Sequence, residues 1–252
     1  MKLYILDNGT IHGNWNIFYS DRKDAPEERI EVPCSMFLID TPQGKILFDA
    51  GVYPGGIRAK SLSYRYQERR QTLEEQLALC STELEEIKIV ILSHLHYDHA
   101  GNLFLFPQAE VICSRTEYEH AWNEVRKGDA ADDRAYFRGD FDVPVGKWTL
   151  LDREAEIVPG VEVIFLPGHT PGLIGLVVHL EGGTFILPQD CLYTERNFGP
   201  PAARSGLVYS EELFYASVEK VRALQTKYDA KIIYGHDGAQ RKTLRIAPDY
   251  YS

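Results

Sequence analysis

The chain has 252 residues, 44% of them apolar and 25% charged, with a formal net charge of −10. This balance argues against a disordered chain and fits a soluble globular protein, long enough for one large α/β domain or two small ones. The acidic excess disfavours a nucleic-acid backbone as the main partner, because phosphate binding requires basic patches. The local basic run from Arg65 to Arg70 reads as a solvated face.

The start of the chain meets Asp7 and Asn8 too early for a signal-peptide core. No run approaches the ~20 apolar residues of a membrane span, so no membrane partner is expected. Cys34, Cys80, Cys113 and Cys191 are far apart and lack paired spacing. In a chain with no evident leader they read as reduced, mostly buried thiols, and the expected address is the cytoplasm.

Leu3 to Leu6 has the pattern of a short apolar strand. Gly9 to Glu31 is polar, dotted with Trp15, Phe18 and Tyr19, and is expected to be a surface loop. Cys34 to Ile39 and Lys45 to Asp49 flank Thr41-Pro42-Gln43-Gly44, which predicts a hairpin. An irregular segment, Val52 to Gln71, follows. Thr72 and Glu75 then have capping-box spacing, and Leu73, Gln76, Leu77 and Cys80 continue at helical period. Ser81 or Thr82 is expected to cap a further short turn through Ile87.

Ile89 to Leu92 is apolar on both faces, the pattern of a buried strand. His94-Leu95-His96-Tyr97-Asp98-His99 follows at its C-terminal end, and His99 to Asn102 is expected to open a helix. Glu110 to Cys113 predicts another strand. Ser114 and Glu117 again have capping-box spacing, at the head of a helix to about Arg126. Gly128 to Gly146, with Asp132, Asp133, Tyr136, Phe137 and Phe141, is expected to be a mobile loop or part of a lid. Val161 to Leu166 predicts a strand ending in Pro167-Gly168-His169-Thr170. Ile174 to Leu180 and Gly183 to Leu187 predict a strand pair, the second ending at Gln189-Asp190. Ser210 to Tyr228 predicts an amphipathic helix with Leu213, Ser217, Val221 and Leu224 on one face. Lys231 to Tyr234 leads to Gly235-His236-Asp237. With no linker, repeat or low-complexity tract, 1–252 reads as a single domain.

The loop from His94 to His99 packs four potential metal ligands into six residues of a chain with eight histidines. Strand ends elsewhere add His169, Asp190 and His236. Donors placed where strands run out onto loops let a rigid sheet fix a site while its mouth stays open. Seven are too many for one tetrahedral zinc. They suit two divalent ions: His94, His96 and His169 around the first; Asp98, His99 and His236 around the second; Asp190 between them. Imidazoles with carboxylates suit zinc, with iron, cobalt and manganese as alternatives. Asp49 is expected to orient a histidine rather than to ligate. Cys191, His179, His120 and His12 are expected to be bystanders, and Asp237 either orients a group or is exposed.

This constellation, from Phe48-Asp49-Ala50-Gly51 to Gly235-His236-Asp237, resembles the metallo-β-lactamase superfamily. The resemblance implies an α/β (α+β) fold: a four-layer αβ/βα sandwich of two mixed β-sheets flanked by helices. Three details resemble the N-acyl homoserine lactonases and related γ-butyrolactone hydrolases. They are the run Ser93 to Asn102, Tyr193 three residues after Asp190, and the ending at Gly235-His236-Asp237. Asn197-Phe198-Gly199-Pro200-Pro201 is also similar to that subgroup.

The resemblance implies a hydrolase that opens a lactone ring with a metal-bridging hydroxide. Tyr193 would help to stabilise the oxyanion and contact substrate, Asp98 would pass a proton to the leaving alkoxide, and Tyr97 would line the pocket. Trp15, Phe18, Tyr64 and Tyr66 are candidates for an acyl channel; such aromatics serve equally in packing or at a homodimer interface. The alternatives are a γ-butyrolactone, ester or thioester hydrolase of the same fold, and a non-enzymatic ligand-binding protein. A glyoxalase II-type thioesterase is disfavoured because only sixteen residues follow His236. A ribonuclease-type member is disfavoured because it needs a basic exosite.

Overall fold

The computed structural model describes residues 1–19, 28–53, 71–127 and 135–252, together with the backbone of 65–68. In chain order the elements are β1 (Lys2–Asn14), α1 (Trp15–Phe18), β2 (Arg29–Thr41), β3 (Gly44–Phe48), β4 (Arg65–Glu68), α2 (Leu73–Leu79) and β5 (Ile87–Ile91). Then come α3 (Tyr97–Ala100), β6 (Glu110–Ser114), α4 (Arg115–Arg126), α5 (Arg138–Phe141), β7 (Lys147–Leu151), β8 (Ala155–Val158) and β9 (Val161–Phe165). The chain ends with β10 (Ile174–Leu180), β11 (Gly183–Leu187), α6 (Glu195–Phe198), α7 (Glu211–Tyr228), β12 (Lys231–Ile232), α8 (Gly238–Arg241) and β13 (Tyr250–Tyr251).

Two mixed sheets form. The first runs β13-β1-β2-β3-β5-β6-β7, with β4 also paired to β1, and the second runs β12-β11-β10-β9-β8. Side chains alternate along each strand, so each sheet has two apolar faces. Leu3, Ile5, Phe37, Ile39, Phe48 and Ile91 of the first sheet meet Val163, Ile174, Leu176, Val178 and Leu187 of the second in a shared core. The outward residues Leu6, Leu38, Leu47, Val90 and Val111 pack under Leu73 and Leu77 of α2 and Ala121 of α4. On the far side, Ile164, Val177 and Ile186 pack under Phe214, Val218 and Val221 of α7. The result is the expected four-layer sandwich.

Several local expectations are met. The Thr72 hydroxyl accepts from Glu75 N at 3.2 Å while Glu75 accepts from Thr72 N at 2.8 Å, a complete capping box at α2. Others are corrected. The described part of Gly9 to Glu31 is not a surface loop: β1 continues to Asn14, Ile11, Ile17 and Phe18 are buried, and β2 has begun by Arg29, while 20–27 lies outside the described residues. A register shift between Asp7 and Thr10, with Gly9 at φ 85, interrupts the alternation that would have revealed a long strand. The turn before β5 is a 3-10 turn, Leu84–Glu86, preceded by Glu83 rather than by Ser81 or Thr82.

His99 does not open a helix. It lies in the last turn of the four-residue α3, which begins after His96. The buried stripe of α7 is Phe214, Ser217, Val218 and Val221, while Leu213 is exposed. In the segment expected to be a lid, 128–134 lies outside the described residues. Tyr136 and Phe141 that follow it are buried in the core under the first sheet. Strands β7, β8 and β13 were not expected from the sequence, nor was β4, which pairs with β1 inside the segment Val52 to Gln71 expected to be irregular; 54–64 and 69–70 of that segment lie outside the described residues. No helix among the described residues is long and apolar enough to cross a membrane.

Candidate metal centre

Strand direction explains why distant residues meet. β3 and β5 run parallel in the first sheet. In the second, β9 and β11 are each antiparallel to β10, and β12 is parallel to β11, so β9, β11 and β12 share a direction. The C-terminal ends of these five strands carry Asp49, the His94 loop, His169, Asp190 and His236. Ile174 N donates to Ser93 O at 2.9 Å and ties the two sheets at this rim.

The first group is tight. His96 Nδ1 lies 3.0 Å from His94 Nε2 and 3.1 Å from His169 Nε2. Asp190 Oδ2 lies 3.4 Å from His169 Nε2 and 3.8 Å from His94 Nε2. The second group gathers on the other carboxylate oxygen. Asp190 Oδ1 lies 3.1 Å from His236 Nε2 and 3.3 Å from His99 Nε2, and Asp98 Oδ2 lies 3.8 Å from His99 Nε2. All seven sequence-derived candidates are therefore brought together, with Asp190 between the two groups; His94 also lies close enough to His99 and Asp190 to share a cation with them. His94, Asp98, His99, His169, Asp190 and His236 are buried.

Proton accounting tests whether cations fit here. His169 Nδ1 faces Leu207 O at 3.1 Å, and His236 Nδ1 faces Pro33 O at 2.9 Å. A carbonyl oxygen only accepts, so both Nδ1 atoms carry the proton and both Nε2 lone pairs point inward. His99 Nδ1 donates to Asp49 at 2.7 Å, which turns its Nε2 lone pair toward Asp190. That Nε2 is buried and makes no hydrogen bond among the described residues. Lone pairs converging on a carboxylate repel unless a cation or extra protons lie between them. The donor set fits divalent metal ions, which take neutral imidazole and ionised carboxylate together.

The electrostatics differ between the groups. Burial, reinforced by the neighbouring histidines, holds His94 well below the usual histidine pKa, and burial likewise lowers His169. Burial also opposes charge on His99, but Asp190, Asp49 and Asp98 outweigh it and raise its pKa well above the usual value. His236 is raised in the same sense by Cys34 and Asp190 against burial. Asp190, despite burial, is held well below the usual carboxylate range by His99 and His236.

Supporting residues fix these donors. Asp49, fully buried at φ 65, accepts from Ser93 N at 2.7 Å, Ser93 Oγ at 2.9 Å, His99 Nδ1 and Gln189 Nε2. It orients a histidine, as expected. Asn8 donates to Asp98 O at 2.8 Å and accepts from Val52 N, while Asn102 donates to Ala50 O and Val52 O. Gly51, at φ 72, must be glycine, because a Cβ there would lie 2.4 Å from Asn8 Oδ1. Glu117 accepts from Leu95 N at 3.0 Å, Tyr136 Oη at 2.9 Å and Thr170 Oγ1 at 2.6 Å. Gln189, Ser93, Asn8, Asn102 and Glu117 were not singled out as site residues; for Gln189 and Ser93 the available signal was adjacency to a ligand.

Tyr193 is buried with its Oη 3.1 Å from His169 Nδ1 and its ring edge-on to Phe18 and His236. Tyr97 is buried against Val52 and Phe137. Phe18 packs behind Tyr193, and Trp15 lies against Tyr19 and Arg196. Tyr64 and the side chain of Tyr66 lie outside the described residues. Cys191 is buried and its thiol is pushed far up by burial. His179 is satisfied by Glu162 at 2.8 Å and Thr184 at 3.0 Å, and His12 pairs with Glu31. His120 lies on α4 between the rings of Tyr136 and Tyr209. Asp237 caps α8, accepting from Ala239 N and Gln240 N.

Comparison with known proteins agrees with this geometry. A profile of the metallo-beta-lactamase superfamily matches residues 29–236. The N-acyl homoserine lactonase AiiB of Rhizobium rhizogenes is 31% identical over 98% of this chain and 98% of its own. The N-acyl homoserine lactonase of Bacillus thuringiensis is 28% identical over 90% of each. A solved structure of an N-acyl homoserine lactone hydrolase, with the product N-hexanoyl-L-homoserine bound at its catalytic metal centre, superposes with a TM-score of 0.84. It is 26% identical and covers 99% of this chain and 98% of its own. The strand-end donors, the four-layer sandwich and these matches agree: the chain belongs to the metallo-β-lactamase superfamily.

Proposed function

We propose that this protein is a dinuclear metal-dependent lactonase that hydrolyses the ring of N-acyl homoserine lactones, with zinc as its ion. One observation carries the proposal. Six donors gather in two groups about Asp190, the seventh, in a chain 31% identical to an N-acyl homoserine lactonase over nearly its whole length. His94, His96, His169 and Asp190 would hold the first ion; Asp98, His99, His236 and Asp190 the second. The core shared by the two sheets supports treating 1–252 as one domain.

Two such ions supply, when bound, Lewis acidity toward an ester carbonyl and a water whose pKa lies near 7. The protein's own groups do the rest. Asp98, at the rim of the second group, would take up the proton that the attacking water loses and hand it to the ring oxygen as it leaves. The Tyr193 hydroxyl, beside His169, donates to the carbonyl oxygen as that oxygen gains charge. Asp49, Leu207 O and Pro33 O keep His99, His169 and His236 in the tautomer that presents Nε2 inward. Contact between Tyr97 and substrate requires its ring, covered by Val52 and Phe137, to be exposed.

The test is incubation of metal-quantified protein with N-hexanoyl homoserine lactone. The expected product is ring-opened N-hexanoyl homoserine. Its formation should stop on chelation and return with zinc. An intact lactone in the presence of protein carrying two ions would overturn the proposal.

A further inference from the structure

We propose that Glu117 is the positioning residue of the first ion's donors. Its buried carboxylate joins the His94/His96 loop to the His169 turn and sets the affinity of that ion without touching it. This rests on the two-ion reading above.

Glu117 stands three residues after Ser114, which caps α4 by accepting from Glu117 N at 3.0 Å. The local rule would turn the Glu117 carboxylate back onto the Ser114 N–H. It turns inward instead and is fully buried. A carboxylate removed from water is costly unless hydrogen bonds satisfy it. Here three donors do so: Leu95 N and Tyr136 Oη on Oε1, and Thr170 Oγ1 on Oε2.

The identity of those donors makes the case. Leu95 lies between His94 and His96. Thr170 directly follows His169. The Tyr136 ring packs edge-on against His96, 4.5 Å between centroids. Each member of the first trio thus has a direct neighbour bonded to, or packed through, one carboxylate. The His94 loop leaves the first sheet and the His169 turn leaves the second, so Glu117 spans the join between sheets. The seat is close: Ser114 Oγ donates to Gly172 O at 2.5 Å, and a Cβ on Gly172 would lie 2.2 Å from Glu117 N. The second trio rests on a different carboxylate, Asp49, through His99; Asp49 also reaches His94 through Ser93, whose Oγ lies 3.0 Å from His94 Nδ1.

The amide of Glu117→Gln has the same shape but loses the charge and turns one acceptor into a donor, so either the Leu95 N–H loses its acceptor or the Thr170 hydroxyl must reverse. Equilibrium dialysis with zinc, and the absorption spectrum of cobalt-loaded protein, would give each ion's affinity and identity. His169→Ala and His236→Ala serve as spectral references for loss of the first and second ions. The expected result is a first-ion Kd ~10–100-fold weaker in Glu117→Gln with the second ion unchanged. Asp49→Asn, which touches His99 directly and His94 through Ser93, should weaken the second ion more than the first. Thr170→Val should weaken the first ion to a lesser degree, and Thr170→Ser should restore it.

Wild-type affinity for both ions in folded Glu117→Gln, or equal weakening of both, would overturn the proposal. If Glu117→Gln does not fold, Thr170→Val decides by the same criterion. A wild-type chain that binds one ion overturns the two-ion reading instead, and the Glu117 proposal then stands or falls on whether its variants weaken that ion. A chain that binds none overturns both.

Discussion

The two donor groups use nearly the same side chains yet are supported in different ways. The first takes His94 and His96 from one sheet and His169 from the other, and their loops share the buried Glu117. The second takes Asp98 and His99 from α3, clamped to the end of β3 by Asp49, Asn8 and Asn102. Asp49 and its partner Gln189 hold positive φ angles of 65 and 47, unusual for residues with a Cβ. Electrostatically the groups diverge as well. Burial keeps His94 and His169 neutral, whereas the surrounding carboxylates favour charge on His99. Donor identity alone therefore does not define a metal site; the neighbours decide how each donor meets protons and cations.

Asp190 is what the two groups share, and its removal should break both. Asp190→Ala is expected to lose both ions by metal analysis and to lower kcat/KM ~10⁴-fold or more. Retention of one ion at full occupancy would show that the groups are independent. Asp98 belongs to the second group alone. Asp98→Asn should lower kcat ~10²–10⁴-fold while an ion stays bound at the first group, measured by steady-state kinetics alongside metal content. Tyr193 leans on the first group. Tyr193→Phe should lower kcat ~10²-fold with two ions retained, and full kcat would remove it from catalysis.

The two groups should also release their ions at different pH. A histidine whose pKa is raised takes up a proton at higher pH, and that proton competes with the metal. His99 and His236 are raised, while His94 and His169 are lowered. On acidification from neutral pH the second ion should therefore leave first, its affinity falling ~tenfold per pH unit for each imidazole that protonates. A pH titration of cobalt-loaded protein checks this; loss of the first ion at the higher pH would contradict it.

Much of this was legible in the sequence because the signals are local. His94 to His99 follow an apolar strand, and His169, Asp190 and His236 each stand just past another. What was illegible depended on tertiary neighbours. Glu117 satisfied the spacing of a capping box, so a local rule hid its inward role. On α7 the residues read as buried included Leu213, but the sheet covers Phe214 and Val218, a shift of one residue around the helix. The second half of β1 was hidden by its irregularity at Gly9. β13 is only two residues long and gains its identity from pairing with Leu3 and Tyr4.

The central claim is that these donors serve lactone opening rather than another hydrolysis. Its most direct test is kcat/KM, on protein of measured metal content, for a series of acyl homoserine lactones, γ-butyrolactone, an aryl ester and a thioester. The account predicts the highest value for an acyl homoserine lactone. Good thioester turnover with no activity toward any lactone would contradict it.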